Sequence, residues 1–75
     1  MFNYIHGRLA ELTPTYAVID ANGIGYELNI SLTTFSALQG KQEVRLYVHE
    51  VIREDAWLLF GFDTRRELDI FRSLI

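Results

Sequence analysis

Ile24-Gly25-Tyr26-Glu27-Leu28-Asn29-Ile30-Ser31-Leu32-Thr33-Thr34-Phe35-Ser36-Ala37-Leu38 changes its hydrophobic period at Ser31. Up to Ile30 the alternation is of period 2. Ile24, Tyr26, Leu28 and Ile30 face one way and Gly25, Glu27 and Asn29 the other, as in a half-buried strand. From Ser31 the alternation is lost. Leu32, Phe35 and Leu38 fall at i, i+3, i+6, as on one side of a helical turn. Ser31 is placed to cap that turn, its hydroxyl accepting from an orphan backbone N–H, and Gly40 ends the segment.

Towards the N-terminus, Asn22-Gly23 joins this strand to a short one over Tyr16–Ala21. Asn-Gly between apolar runs is a strong hairpin signal, because a type I′ turn needs positive φ at both central residues. Tyr4–Leu12 reads as a first strand, with Ile5, Gly7 and Leu9 on one face and His6 and Arg8 on the other. Gly7 in mid-strand predicts a bulge or bend. Thr13-Pro14-Thr15 breaks the pairing, since Pro14 has no N–H. Towards the C-terminus, Glu43–Ile52 is a fourth strand with Val44, Leu46 and Val48 on one face. Arg53-Glu54-Asp55-Ala56 is a polar hairpin tip, and Trp57–Phe62 is a fifth strand, apolar on both faces. The period then changes again. Thr64-Arg65-Arg66-Glu67 fits a capping box, Leu68, Phe71 and Ile75 line one helical face with Leu74 beside it, and Asp63 suits the helix dipole.

Three strands, a short helix, two strands and a final helix predict an all-β fold, a five-stranded Greek-key barrel of the OB type. An SH3-like barrel also has five strands. The helical segment between strands 3 and 4 favours the OB reading, with a C-terminal helix appended.

The chain of 75 residues is one domain of a size that buries about 60% of its unfolded surface. Its 49% apolar content is too high for intrinsic disorder. No apolar run approaches the ~20 residues of a membrane span. Met1 to Gly7 lacks the basic and apolar regions of a secretory signal. The absence of cysteine removes disulfides, Cys-ligated zinc and thiol nucleophiles together. A cytoplasmic protein is the default. Ten acids against seven bases give a net charge of −3, which argues against a domain that grips nucleic acid by charge.

The motifs of catalysis are absent. His6 and His49 lack a partner at metal-ligand spacing, and His49 and Glu50, adjacent on a strand, point to opposite faces. No G-x-S-x-G elbow is present. Asn22-Gly23-Ile24-Gly25 joins two strands, not a strand and a helix, so it is no dinucleotide fingerprint. The expectation is no catalytic residue, no cofactor and no metal. Phe2, Tyr4, Tyr16, Tyr26, Phe35, Tyr47, Trp57, Phe60, Phe62 and Phe71 are aromatics that could stack on bases. Core packing is the preferred reading, above all for Tyr26 and Phe35, which lie in phase with aliphatic neighbours.

Glu54 and Asp55 stand out because their flanks are so apolar. Two carboxylates at the tip of a well-packed hairpin suggest a device that pushes on other anions. Arg53-Glu54-Asp55-Ala56-Trp57-Leu58-Leu59-Phe60-Gly61-Phe62 resembles the V-x-R-E-D-A-x-x-L-[YF]-G-F signature of the bacterial Holliday-junction family RuvA. Gly23-Ile24-Gly25-Tyr26-Glu27 is similar to that family's G-[VI]-G-Y-E segment, and Thr33-Thr34-Phe35 to its T-T-F stretch. His6-Gly7-Arg8-Leu9 sits where the family has a Gly-containing strand. Glu67-Leu68, Phe71 and Leu74-Ile75 resemble the opening helix of its second domain.

The resemblance implies an OB domain over residues 1–62, with residues 63–75 as the truncated first helix of a helix-hairpin-helix domain. An apolar face that reaches Leu74-Ile75 without a Gly or Asn stop agrees with a continuing chain. The resemblance further implies a non-catalytic DNA-binding subunit that holds four-way junction DNA and supports branch migration in recombinational repair. Its partners would be its own copies in a homotetramer or octamer, the RuvB motor ATPase through a C-terminal domain, and the RuvC resolvase. No G-x-x-x-x-G-K-[ST] is present. Glu54 and Asp55 would form the acidic pin at the junction centre, and Arg53 would orient the pin or touch a phosphate. The family's first strand is usually basic where Tyr4 and His6 stand here, and has Gly where Asn3 stands. Arg8, Lys41, Arg45, Arg65 and Arg66 are the other basic candidates. The alternative is an OB-type assembly module with no direct DNA role. A general single-strand binder is disfavoured by the charge.

Overall fold

The computed structural model describes residues 3–75. Phe2, one of the aromatics weighed above, lies outside them. The strands are β1 (Tyr4–Leu12), β2 (Tyr16–Ala21), β3 (Ile24–Asn29), β4 (Glu43–Arg53) and β5 (Ala56–Phe62). Two helices, α1 (Leu32–Leu38) and α2 (Arg65–Leu74), complete the order. The strands close into a barrel in the order β1-β2-β3-β5-β4, the five-stranded OB arrangement expected from the sequence. All neighbours are antiparallel except β3 and β5, which run parallel and meet at Asn29 and Phe60. The Asn29 side-chain amide donates to the Leu59 carbonyl at 3.2 Å and reinforces this short seam.

The local signals act where they were read. Asn22 and Gly23 have φ of 54° and 85°, the left-handed pair of a type I′ turn. Asp20 Oδ1 accepts from the Gly23 N–H at 3.0 Å and fixes that turn. Thr13 Oγ1 accepts from the backbone N–H groups of Thr15 and Tyr16, so the Pro14 break is a hydrogen-bonded turn. Ser31 caps α1 by accepting from Thr34 N at 3.1 Å. Thr64 caps α2 by accepting from Glu67 N at 3.2 Å. None of the helices among the described residues is long and apolar enough to cross a membrane.

Three expectations are corrected. The irregularity in β1 lies between Leu9 and Glu11, not at Gly7. Gly7 stays in register opposite Val44, and its missing side chain serves a close approach instead. A Cβ there would collide with the Asp20 carbonyl oxygen. The buried residues of α1 are Thr34 and Leu38, while Leu32 is 68% exposed. Thr34 is drawn in because its hydroxyl accepts from the Asp63 N–H at 3.3 Å, which ties α1 to the end of β5. In α2 only Leu68 of the expected stripe is buried, with Phe71 half-buried and Ile75 exposed.

Ile5, Ala17, Ile19, Leu28, Leu38, Val44, Leu46, Val48 and Leu59 form the core, contributed by every strand and by α1. Tyr26 packs against it half-buried, and Phe35 is half-buried as well. The Gly7 contact gives a first test. Gly7→Ala forces β1 away from β2 and costs about 1–3 kcal/mol by overpacking. That lowers the melting temperature by roughly 4–8 °C per kcal/mol in a domain of this size. An unchanged thermal transition by circular dichroism would refute the close approach.

Candidate nucleic-acid interface

β4 has two partners in succession. Glu43 to Tyr47 pair with β1, and Tyr47 to Arg53 pair with β5. Beyond the His49–Phe60 pair the two strands run on as a ribbon through Glu50–Leu59, Val51–Leu58, Ile52–Trp57 and Arg53–Ala56. Four residue steps at ~3.4 Å carry the tip about 14 Å past that pair. The Arg53–Ala56 pair narrows the expected four-residue interruption to a two-residue loop, Glu54-Asp55. Neither residue has positive φ, in contrast to Asn22-Gly23. Side chains with a Cβ enter the left-handed region only at a cost, so this hairpin closes without a primed turn.

Arg53, Glu54 and Asp55 are all exposed. Among the described residues none of the three side chains makes an ion pair or hydrogen bond. The tip therefore presents two carboxylates with no internal cation. Arg53 pairs with neither of them.

The ribbon has two distinct faces. Glu50, Ile52, Trp57 and Leu59 continue the barrel's interior face outward, and the Trp57 indole N–H donates to Glu50 Oε2 at 2.6 Å. His49 and Phe60 lie on the other face, against α2. The Phe71 ring stands 5.4 Å from His49, 5.4 Å from Phe60 and 5.0 Å from Phe62. Arg72 Nε donates to His49 Nδ1 at 3.3 Å. His49 and Glu50 thus point apart, as the strand alternation dictates, and the final helix is anchored at the ribbon's root.

OB barrels that bind oligonucleotides use the outer face of strands 2 and 3. Here Tyr16, Val18 and Asp20 of β2 lie opposite Asn29, Glu27 and Gly25 of β3. Glu11 adds a further carboxylate, accepting from the Tyr16 hydroxyl at 3.1 Å. That hydrogen bond, helped by the carboxylate's charge, raises the Tyr16 pKa. The platform is acidic and repels phosphate.

The basic candidates are dispersed. Arg8 pairs with Asp20 at 3.0 Å and Arg65 with Asp69 at 3.4 Å. Arg45 lies 4.5 Å from the centre of the Tyr4 ring, and His6 is 3.8 Å from Glu43. Lys41 and Arg66 are exposed. Among the described residues no groove of positive charge leads to the tip.

The family model for the RuvA N terminal domain matches residues 1–61. The chain belongs to the RuvA family. The Holliday junction branch migration complex subunit RuvA of Bacteroides thetaiotaomicron is 56% identical over 75 residues, which is 100% of this chain and 37% of that relative. The subunit of the same name from Parabacteroides distasonis is 54% identical over 74 residues, 99% of this chain and 38% of the relative. That of Streptococcus pyogenes serotype M18 is 47% identical over 75 residues, 100% and 38%. The chain thus spans little more than a third of the length of the curated RuvA relatives it matches.

Two features of this RuvA-family barrel were not singled out in the sequence: the Trp57–Glu50 hydrogen bond and the His49–Phe71–Arg72 contact. The first is a diagonal across two strands. The second joins residues 23 apart in sequence, on different kinds of element. Nothing in local spacing signals either one.

Proposed function

We propose that residues 1–62 are the junction-facing domain of a branch-migration subunit in recombinational DNA repair, with Glu54 and Asp55 as an acidic pin at the crossover of a four-way junction. The observation that carries the reading is the pair of unneutralised carboxylates at the tip of a ribbon that has left the barrel. Each lies within one Debye length, ~8 Å, of any phosphate that settles against the tip. Repulsion there keeps backbone away from the centre and steers strands apart. Affinity has to come from elsewhere, since counterion release needs Lys and Arg on phosphates. Arg53, exposed next to the pin, orients it or touches a phosphate beside it. The acidic β2–β3 face and the dispersed arginines support shaping rather than gripping.

In the same reading, residues 63–75 open a helix-hairpin-helix domain, and the full-length protein is a non-catalytic homotetramer, or octamer, that positions the RuvB motor and RuvC resolvase on the junction in the cytoplasm. The test is electrophoretic mobility at fixed salt, with four-way junction and linear duplex of equal length. The full-length protein prefers the junction. Residues 1–75 alone bind either DNA no more tightly than about 10⁻⁴–10⁻⁶ M, as for non-specific contacts. Equal affinity of the full-length protein for both DNAs would refute the reading. Nanomolar binding by the short chain would refute the division of labour.

A further inference from the structure

We propose that Trp57 and the groove beside it form a stacking site for an unpaired nucleobase at the branch point. The inference rests on the junction reading above and deepens it, by adding an attractive subsite next to the repulsive tip. Trp57 stands two positions after Asp55, in the second residue pair below the tip. Its indole is tethered through Nε1 to Glu50, yet the residue remains 61% exposed. A large aromatic surface is thus held in one orientation before any ligand arrives, which reduces the ordering cost of binding.

A groove of about 430 Å³ runs beside the ring, lined by Ile24, Gly25, Tyr26, Glu27, Trp57 and Leu59. That volume is in the range of small-molecule clefts. Its walls are largely apolar and aromatic, and Gly25 adds no side chain. Its charged group is the Glu27 carboxylate, with Glu50 at the other edge of the indole. Carboxylates repel a phosphate but accept hydrogen bonds from the amino groups of bases. A nucleotide is therefore admitted base first, its backbone left outside. The occupant that fits is a base without a partner, and such bases arise where strands separate at a crossover. Stacking is indifferent to sequence, because every base has a π-face. A site of this kind therefore serves a branch point that moves through any sequence.

Trp57 is the sole tryptophan of the chain, so its emission reports on this position. In the full-length protein, the difference between wild type and Trp57→Phe isolates that signal. The probes are a four-way junction with one unpaired nucleotide at the crossover, the same junction with an abasic residue there, and linear duplex. The expected result is quenching by the unpaired base and none by the abasic junction. Trp57→Ala weakens binding of the unpaired-base junction about tenfold, with a far smaller loss on duplex, and Trp57→Phe restores most of it. Identical emission with base and abasic junctions overturns the site while leaving the junction reading intact. So does an equal loss of affinity on all three DNAs. An emission change on protein dilution without DNA, together with a change of oligomeric state in Trp57→Ala, assigns the groove to a second copy of the chain and also overturns it. Wild-type protein with no preference for junctions removes the junction reading and this site together.

Discussion

Glu54→Gln combined with Asp55→Asn in the full-length protein narrows the preference for four-way junction over duplex by about tenfold. A carboxylate 4 Å from a phosphate in water is worth about 1 kcal/mol of repulsion, and each chain loses two such carboxylates. Duplex then settles against the tip without penalty, so duplex affinity rises and the junction loses its advantage. Reversal to Lys at both positions goes further in the same direction. The change shrinks as salt is raised, because exposed charges are screened. Folding is unaffected, since both side chains are exposed and neither makes an ion pair or hydrogen bond among the described residues. Surface changes of this kind fall within about 0.5 kcal/mol. Competition binding at two salt concentrations measures the ratio. A ratio that stays at the wild-type value at low salt removes the pin role from these two residues.

Leu46→Ala has the largest effect on stability. Leu46 is 0% exposed and sits on β4 shortly before that strand changes partner from β1 to β5. It packs over Gly61, where even an added Cβ would meet its Cδ1 at 3.1 Å. Truncation loses the transfer energy of the removed atoms and leaves a cavity, together about 2–5 kcal/mol. A domain of this length has roughly 4–11 kcal/mol in total, at 0.05–0.15 kcal/mol per residue. The transition should fall by roughly 10–30 °C. Ile52→Ala is the control, because Ile52 is 72% exposed on the ribbon and its loss is small. Thermal denaturation of both variants decides the matter. A cost for Leu46→Ala no greater than that for Ile52→Ala would contradict the core described above.

What was legible in the sequence was local. Asn22-Gly23, Ser31 and Thr64 each act on backbone groups within three residues, so their hydrogen bonds follow from spacing alone. The position of Glu54 and Asp55 at a hairpin tip was legible for the same reason. The OB barrel class followed from counting elements and noting the helix before β4, while the spatial order β1-β2-β3-β5-β4 came only from the structure. What failed depended on contacts distant in sequence. Leu32 is as good a helical core residue as Thr34 by pattern, but Thr34 meets Asp63 across the fold and Leu32 meets solvent. Gly7 has two possible meanings in a strand, and only the approach of Asp20 selects one. Trp57 reads as one more apolar residue of a strand until the ribbon is seen to extend beyond the barrel and leave it exposed.

The ribbon's geometry has a mechanical consequence. A two-stranded arm held at one end is a lever with its fulcrum at the barrel's rim, near the His49–Phe60 pair. With an arm of about 14 Å, a rotation of about 10° at the fulcrum sweeps the carboxylates through roughly 2.5 Å. Phe71 and Arg72 of α2 press on that fulcrum through His49 and Phe60. A tilt transmitted from the helix through these contacts would be magnified in the same proportion at the charged tip.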